Sequence, residues 1–258
     1  MLHHPPEVRG YLAALTARCA DLLRSDLLGV YAGGSLALGG YTPGRSDIDV
    51  AVVCRRPLDA AGRTAIVRDL RHENLRCPAR GLELVVYRAE VAAAGGPEPG
   101  FEVELNTGEW MAYRATFDPA DRSSADGLFW YAIDRSILAE HGRALVGSPA
   151  AKVFASPPDD VLAALLACSL DWHLASPVPP ADDAVLGACR ALHRSRAGRW
   201  LSKSAAGQAI LADPGDLDRD VIEQALRARA GGPPLDPDRA HRFLVVVRAD
   251  LTHRRAAR

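Results

Sequence analysis

The feature that most constrains this chain is the segment GVYAGGSLALGGYTPGRSDIDVAVVC, residues 29–54. A short apolar run, Leu27–Tyr31, ends in Gly33-Gly34-Ser35, and a β-branched run, Ile48–Cys54, follows Asp47 and carries Asp49. Such runs read as buried strands. Glycines at the end of the first let the backbone approach a ligand closely. Backbone N–H groups of the turn that follows, with the Ser35 hydroxyl, suit phosphate oxygens. No Gly-Lys-Ser/Thr follows, so this is not a Walker loop. Along a strand side chains alternate faces, so Asp47 and Asp49 share one face while Ile48 points into the core.

Two neighbouring carboxylates repel each other unless a cation sits between them. Mg²⁺ takes one or two carboxylates plus substrate phosphates, and a pair of such ions stabilises the attacking and leaving oxygens of an in-line displacement. Glu83 interrupts a third apolar run, Leu82–Tyr87, where an uncompensated acid is costly. A strand placed beside Ile48–Cys54 brings Glu83 to both aspartates, where it suits a general base. Gly-Gly-Ser is commonly a loop, and Ser-Asp-x-Asp is commonly a turn or cap. Their ordered combination with a lone glutamate in a third strand is far more specific.

The surrounding pattern supports an α+β head followed by helices. Helices are expected over 7–25, 59–75 and 127–145. A Gly/Pro loop is expected over 92–100 and a half-exposed strand over Phe101–Leu105, where apolar and acidic residues alternate. After Pro158 the periodicity is helical, with apolar faces at Val161, Leu162, Leu165, Leu166 and Leu170 and at Val185, Leu186, Cys189 and Leu192. The expected domains are 1–155 and 156–258.

Charge and cysteines narrow the classes. The 258 residues carry a net charge of -1, which gives no basic face for bulk nucleic-acid binding. Five cysteines without a C-x-x-C pair suggest neither a disulfide framework nor a zinc site, and buried free thiols in a reducing cytoplasm are expected. The opening MLHHPPEVRGYLAAL does not read as a signal peptide, and no run reaches the ~20 apolar residues of a membrane helix.

Gly34-Ser35, Asp47-Ile48-Asp49 and Glu83 resemble the signature of the polymerase-β-like nucleotidyltransferase superfamily. Adding LNTGEW (residues 105–110) and DDAVLGACRALHRSRAGRWLSKSAAGQAI (residues 182–210), the chain is similar to the aminoglycoside adenylyltransferases that modify streptomycin and spectinomycin. The resemblance implies a mixed-sheet nucleotidyltransferase domain followed by an all-α helical bundle. It implies an enzyme that transfers AMP from Mg-ATP to a hydroxyl of a small amino-sugar compound, releasing pyrophosphate. By the same resemblance Asp47, Asp49 and Glu83 hold two Mg²⁺ ions, and Glu83 is the base. Gly34, Ser35, Arg190 and Lys203 meet the nucleotide. Glu109, Trp110, Trp172, Asp182 and Asp183 line the acceptor site. A cytoplasmic monomer with a small-molecule substrate and no membrane partner is expected.

The chain departs from the streptomycin-type pattern at residues 176–180, SPVPP, where an acidic Pro-Asp-Trp context is replaced. Three other readings compete: the same chemistry on a protein, an RNA or another small molecule; a non-catalytic nucleotide-binding relative, against which three converging acids argue; and a helical nuclease through Arg248 and His253, a spacing common by chance in an Arg-rich tail.

Overall fold

Ile48–Cys54 becomes β2, at the centre of a six-stranded sheet, in the computed structural model, which describes residues 4–175, 180–213, 215 and 217–256. The chain divides into two compact units, Met1–Pro157 and Pro158–Arg258.

The first unit begins with α1 (Pro6–Leu23), β1 (Leu27–Ala32) and the single turn α2 (Gly34–Ala37), then β2 and α3 (Ala60–Leu70). It continues with β3 (Leu82–Arg88), α4 (Ala89–Ala94), β4 (Phe101–Gly108), β5 (Met111–Thr116), α5 (Trp130–His141) and β6 (Arg143–Gly147). The strand order is β5-β4-β3-β2-β1-β6. Only β2 and β3 run parallel among these pairs, and the others are antiparallel.

The near-continuous apolar strands have a reason in this layering: both faces of the central sheet are covered. Val30, Ile48, Val50, Val52, Leu82, Leu84 and Val86 form one core with Leu12 and Leu15 of α1 and Ile66 and Leu70 of α3. Their alternates Tyr31, Ala51, Val53 and Tyr87 form a second with Ala92 of α4 and Tyr131 and Leu138 of α5. Asp49 and Glu83 lie on this second face, two residues before Ala51 and Val85.

The structure corrects several element boundaries. The first helix stops at Leu23 and passes into a 3-10 turn, Arg24–Asp26. Asp59 caps α3 by accepting from the Gly62 N–H at 2.7 Å, and the helix ends at Leu70 because Arg71 turns to extended backbone. The loop expected over 92–100 starts later, because α4 continues to Ala94 and stops where Gly95 takes φ 64. The helix expected over 127–145 is shorter. Its chain turns at Gly142 and returns as β6 beside β1.

Phe101–Leu105 is buried throughout rather than half-exposed. Glu102 pairs with Arg63 and Arg88, and Glu104 with Arg114 and Arg122, so the acids that suggested a wet face are neutralised in place. The cysteines are free, and Cys168 is exposed where a buried thiol was expected.

In the second unit α6 (Asp159–Ala175), α7 (Ala181–Ala197), α8 (Lys203–Ala212), α9 (Arg219–Arg229) and α10 (Pro237–Ala256) form an all-α bundle. The hub is α7, which meets the other four helices and buries Val185, Leu186, Cys189 and Leu192 completely. Arg248 donates through Nε and Nη2 to the two carboxylate oxygens of Asp171 of α6, which gives it a structural partner. The side chain of His253 and residues 176–179 lie outside the described residues. No helix among the described residues is long and apolar enough to cross a membrane.

Arg135 of α5 is 1% exposed and holds the loop that leads into β4. Its guanidinium donates to the carbonyls of Gly96 (2.8 Å), Glu98 (2.7 Å) and Pro99 (2.9 Å) and lies 5.3 Å from the centroid of the Tyr87 ring. Arg135→Met leaves three carbonyls to find new donors. Urea unfolding is expected to show a loss of about 2–4 kcal/mol; unchanged stability would contradict this role.

Candidate active site

The site is built where β1 ends and β2 and β3 begin, on the α5 face. Gly33 is extended, and its N–H donates to the Asp49 carbonyl at 2.9 Å, continuing the β1–β2 ladder by one step. Gly34 then takes φ +45, and a Cβ there would stand 1.8 Å from Asp49 Oδ2. Glycine is therefore required twice, for the left-handed backbone and for the carboxylate that fills the space. The Ser35 backbone N–H donates to the Asp49 carboxylate. The Ser35 hydroxyl is buried and has no hydrogen-bond partner, a costly condition for a polar atom without a ligand.

Asp49 and Glu83 are direct partners across the parallel β2–β3 pair. The next residue along the same row is Asn106 of β4, followed by Arg114 of β5. Asp47, one residue before β2, points its Oδ2 to Arg80 at 2.9 Å. Arg80 is itself fixed by its N–H to the Ser46 carbonyl, 3.2 Å.

Crowding shows in the acidities. Asp49 is pushed well above the usual carboxylate range by burial first, then by Asp47, Glu83 and Asp134, against the one Ser35 N–H. Glu83 is pushed up to about 8 by burial, Asp47 and Asp134, with Arg80 and Arg114 opposing. Each acid favours the neutral form because no sufficient positive charge stands beside it.

Asp134 is a site residue that the sequence did not reveal. It lies four residues before Leu138, whose Cδ2 is 3.3 Å from where a Gly33 Cβ would be. The α5 face that carries both side chains thus fronts the Gly33-Gly34 turn. Helical spacing links Asp134 to Leu138 in the sequence, but nothing there says which helix face meets the sheet. Arg80 and Arg114 likewise enter only through sheet register.

The donor chemistry fits Mg²⁺: hard oxygens from two in-register carboxylates, an adjacent third, and a hydroxyl in want of a partner. Among the described residues no three His, Cys, Asp or Glu side chains are drawn together as a metal-ligand group; Asp47 is engaged with Arg80 instead.

Two acceptor-side expectations, Glu109 and Trp110, lie at the tip of the β4–β5 hairpin. Trp110 is 72% exposed, and its N–H donates to the Arg80 carbonyl at 3.2 Å, which ties the tip to the loop that carries Arg80. Its exposure removes a core role.

The remaining candidates belong to the helical unit. Arg190 of α7 lies 5.8 Å from the Trp200 ring centroid. Lys203 opens α8, whose cap is the Ser202 hydroxyl accepting from the Ala205 N–H. Asp183 Oδ2 pairs with Lys203 Nζ at 3.1 Å, and its Oδ1 accepts from Arg229. Asp182 is buried, and Trp172 is half-buried with its ring 5.1 Å from that of His173. Burial, then Lys203, pulls His173 down to about 4, with Asp183 opposing.

Comparison with known proteins agrees with this layout. Residues 17–98 match the family described as "Nucleotidyltransferase domain". No curated protein sequence gives a significant match. The chain is similar in fold to the crystal structure of spectinomycin adenyltransferase AAD(9) from Enterococcus faecialis with ATP and spectinomycin. The TM-score is 0.70 at 15% identity, over 95% of this chain and 99% of that one. The likeness is one of fold, and the observed order, an α/β head that contains the matched residues followed by an all-α bundle, is the one the sequence led us to expect.

The raised Glu83 pKa makes a prediction about stability in metal-free buffer. A carboxyl whose folded pKa lies above its unfolded value contributes stability at low pH that is lost as pH rises toward 8. Glu83→Gln removes that loss. The variant is expected to be more stable than wild type by about 1–3 kcal/mol at pH 9 and to converge with it near pH 5. Denaturant melts at both pH values in chelator read this directly, and a pH-independent difference would contradict it.

Proposed function

We propose that this protein is a magnesium-dependent adenylyltransferase that moves AMP from ATP onto a hydroxyl of a small, amine-bearing sugar-like compound of the aminoglycoside and spectinomycin type. The observation that carries this reading is the in-register Asp49–Glu83 pair beside Gly34 and the unpartnered Ser35 hydroxyl. The family match over residues 17–98 and the likeness to a spectinomycin adenyltransferase fold support it.

In this mechanism the Ser35 hydroxyl and the backbone of the Gly34 turn receive the phosphates of ATP. Asp47 and Asp49 hold Mg²⁺, with Glu83 adjacent. When bound, Mg²⁺ neutralises charge on the phosphates and on the three carboxylates. Glu83 accepts the proton of the acceptor hydroxyl, whose oxygen attacks the α-phosphorus as the bond to pyrophosphate breaks. The family resemblance assigns Arg190 and Lys203 to the nucleotide, where their charge would offset that of the departing pyrophosphate. Most of the acceleration comes from positioning and charge compensation. By the family resemblance Glu109, Trp110, Trp172, Asp182 and Asp183 would serve the acceptor, aromatic and acidic side chains suited to a polar cation. A nucleotide-dependent cytoplasmic monomer remains the expected form.

The test is pyrophosphate release from Mg-ATP with spectinomycin, streptomycin and other aminoglycosides as acceptors. One of these is expected to stimulate release, and Asp49→Asn to abolish it. Glu83→Gln is expected to lower kcat by about 10²–10⁴-fold while leaving ATP binding largely intact. Release that no acceptor stimulates would refute the acceptor class, and wild-type turnover in Glu83→Gln would refute its role as base.

A further inference from the structure

Among the polar side chains of β4, three are held by the fold. Glu102 pairs with Arg63 and Arg88, Glu104 pairs with Arg114 and Arg122, and the Thr107 hydroxyl accepts from the His72 N–H at 2.9 Å. Asn106 is the fourth. It is half-buried, and its side-chain amide makes no hydrogen bond to any of the described residues. Asparagine is depleted in strands, and the fold draws on neither its two donor hydrogens nor its carbonyl oxygen. A residue that breaks a local rule without a gain in packing or pairing marks a functional position.

The register says which function. Asn106 stands opposite Glu83 across β3–β4, as Glu83 stands opposite Asp49 across β2–β3. Such partners share one face of the sheet, with Cβ atoms about 5 Å apart. A single row therefore runs from the Gly34 turn through Asp49 and Glu83 to Asn106, one strand per step. Its next member, Arg114, is committed to Glu104 Oε1 by two donors at 3.0 and 2.7 Å, which leaves Asn106 unused. In an in-line displacement the attacking and leaving oxygens lie on opposite sides of the phosphorus. With the phosphates at the Gly34 turn and the base at Glu83, the body of the acceptor falls beyond Glu83, over β4. Asn106 is the first polar side chain it meets there.

We propose that Asn106 is an acceptor-binding residue whose amide holds a second hydroxyl of the acceptor, next to the hydroxyl that Glu83 deprotonates. This rests on the adenylyl-transfer reading and deepens it by naming what the acceptor carries beside its reacting group. The Arg114 guanidinium, one strand further along the row, disfavours an ammonium at this place, so the group held is neutral. The amide can both donate to that hydroxyl and accept from it.

The test reads stability and binding on the full-length protein. Urea unfolding gives the first. Calorimetric titration of spectinomycin and of streptomycin, with Mg²⁺ and a non-hydrolysable ATP analogue present, gives the second, and the analogue is titrated in parallel. Asn106→Val introduces a better strand former. It is expected to unfold at the same or a higher urea midpoint and to bind the analogue within about twofold of wild type, while binding of the acceptor weakens about tenfold. Asn106→Gln keeps the amide and is expected to bind the acceptor more tightly than Asn106→Val does. Acceptor binding that is unchanged in Asn106→Val, or equally weak in Asn106→Gln, overturns the assignment and leaves the adenylyl-transfer reading standing. Loss of analogue binding or a lower urea midpoint in Asn106→Val also overturns it, by making the residue a nucleotide contact or a structural one. Wild-type protein that binds the analogue but neither compound overturns the acceptor class of that reading and this inference with it.

Discussion

Repulsion between carboxylates on adjoining strands is the constraint around which the first unit is organised. The parallel register that sets Asp49 opposite Glu83 is enforced by the apolar partners on either side, Ile48 with Leu82 and Val50 with Leu84, which are buried against α1 and α3. A slip of one residue in either strand would turn its acid into the core against α1 and α3 and break the pair. The sheet thus commits hydrophobic burial to hold two like charges together, and the Gly34 turn closes over one of them with no room for a side chain. The cost of burial and crowding is visible in the raised pKa of both groups, a pattern that accompanies functional sites more than structural ones.

The rest of the head serves this arrangement. Arg135 pins the loop before β4, and the buried Glu102 and Glu104 are neutralised by arginines from α3, β3, β5 and the segment after β5. Acids are therefore handled in two ways within one sheet. Those on β4 are paired at short range by guanidinium groups; those on β2 and β3 are left in mutual conflict. The contrast separates the paired carboxylates of β4 from the ones we propose to hold a cation.

The acids on β2 and β3 were legible in the sequence because period-two alternation and interrupted apolar runs are local signals. Asp47, Asp49 and Glu83 could be named, and their strands placed, from such signals. What was not legible came from long-range pairing. β6 is a short run, Arg143–Gly147, with little apolar pattern, and it exists because β1 offers it an edge. Glu102 and Glu104 suggested a wet strand because their arginine partners lie 10–39 residues away in the chain. Asp134 needed the orientation of α5, and the sharing of Asp183 between Lys203 and Arg229 needed three helices packed together. The acceptor-side residues gave the weakest signal, since exposed aromatics such as Trp110 carry no periodicity.

The proposed function requires that Glu83 and Asp49 stay in conflict until a divalent cation arrives. The direct measurement is a pH titration of the Glu83 side-chain carboxyl by carbon-13 NMR, in chelator and again with Mg²⁺ and a non-hydrolysable ATP analogue. The account predicts a midpoint near 8 in chelator that falls into the ordinary carboxylate range when the cation and nucleotide are added. An ordinary midpoint without metal, or a high one that the addition leaves unmoved, would contradict it.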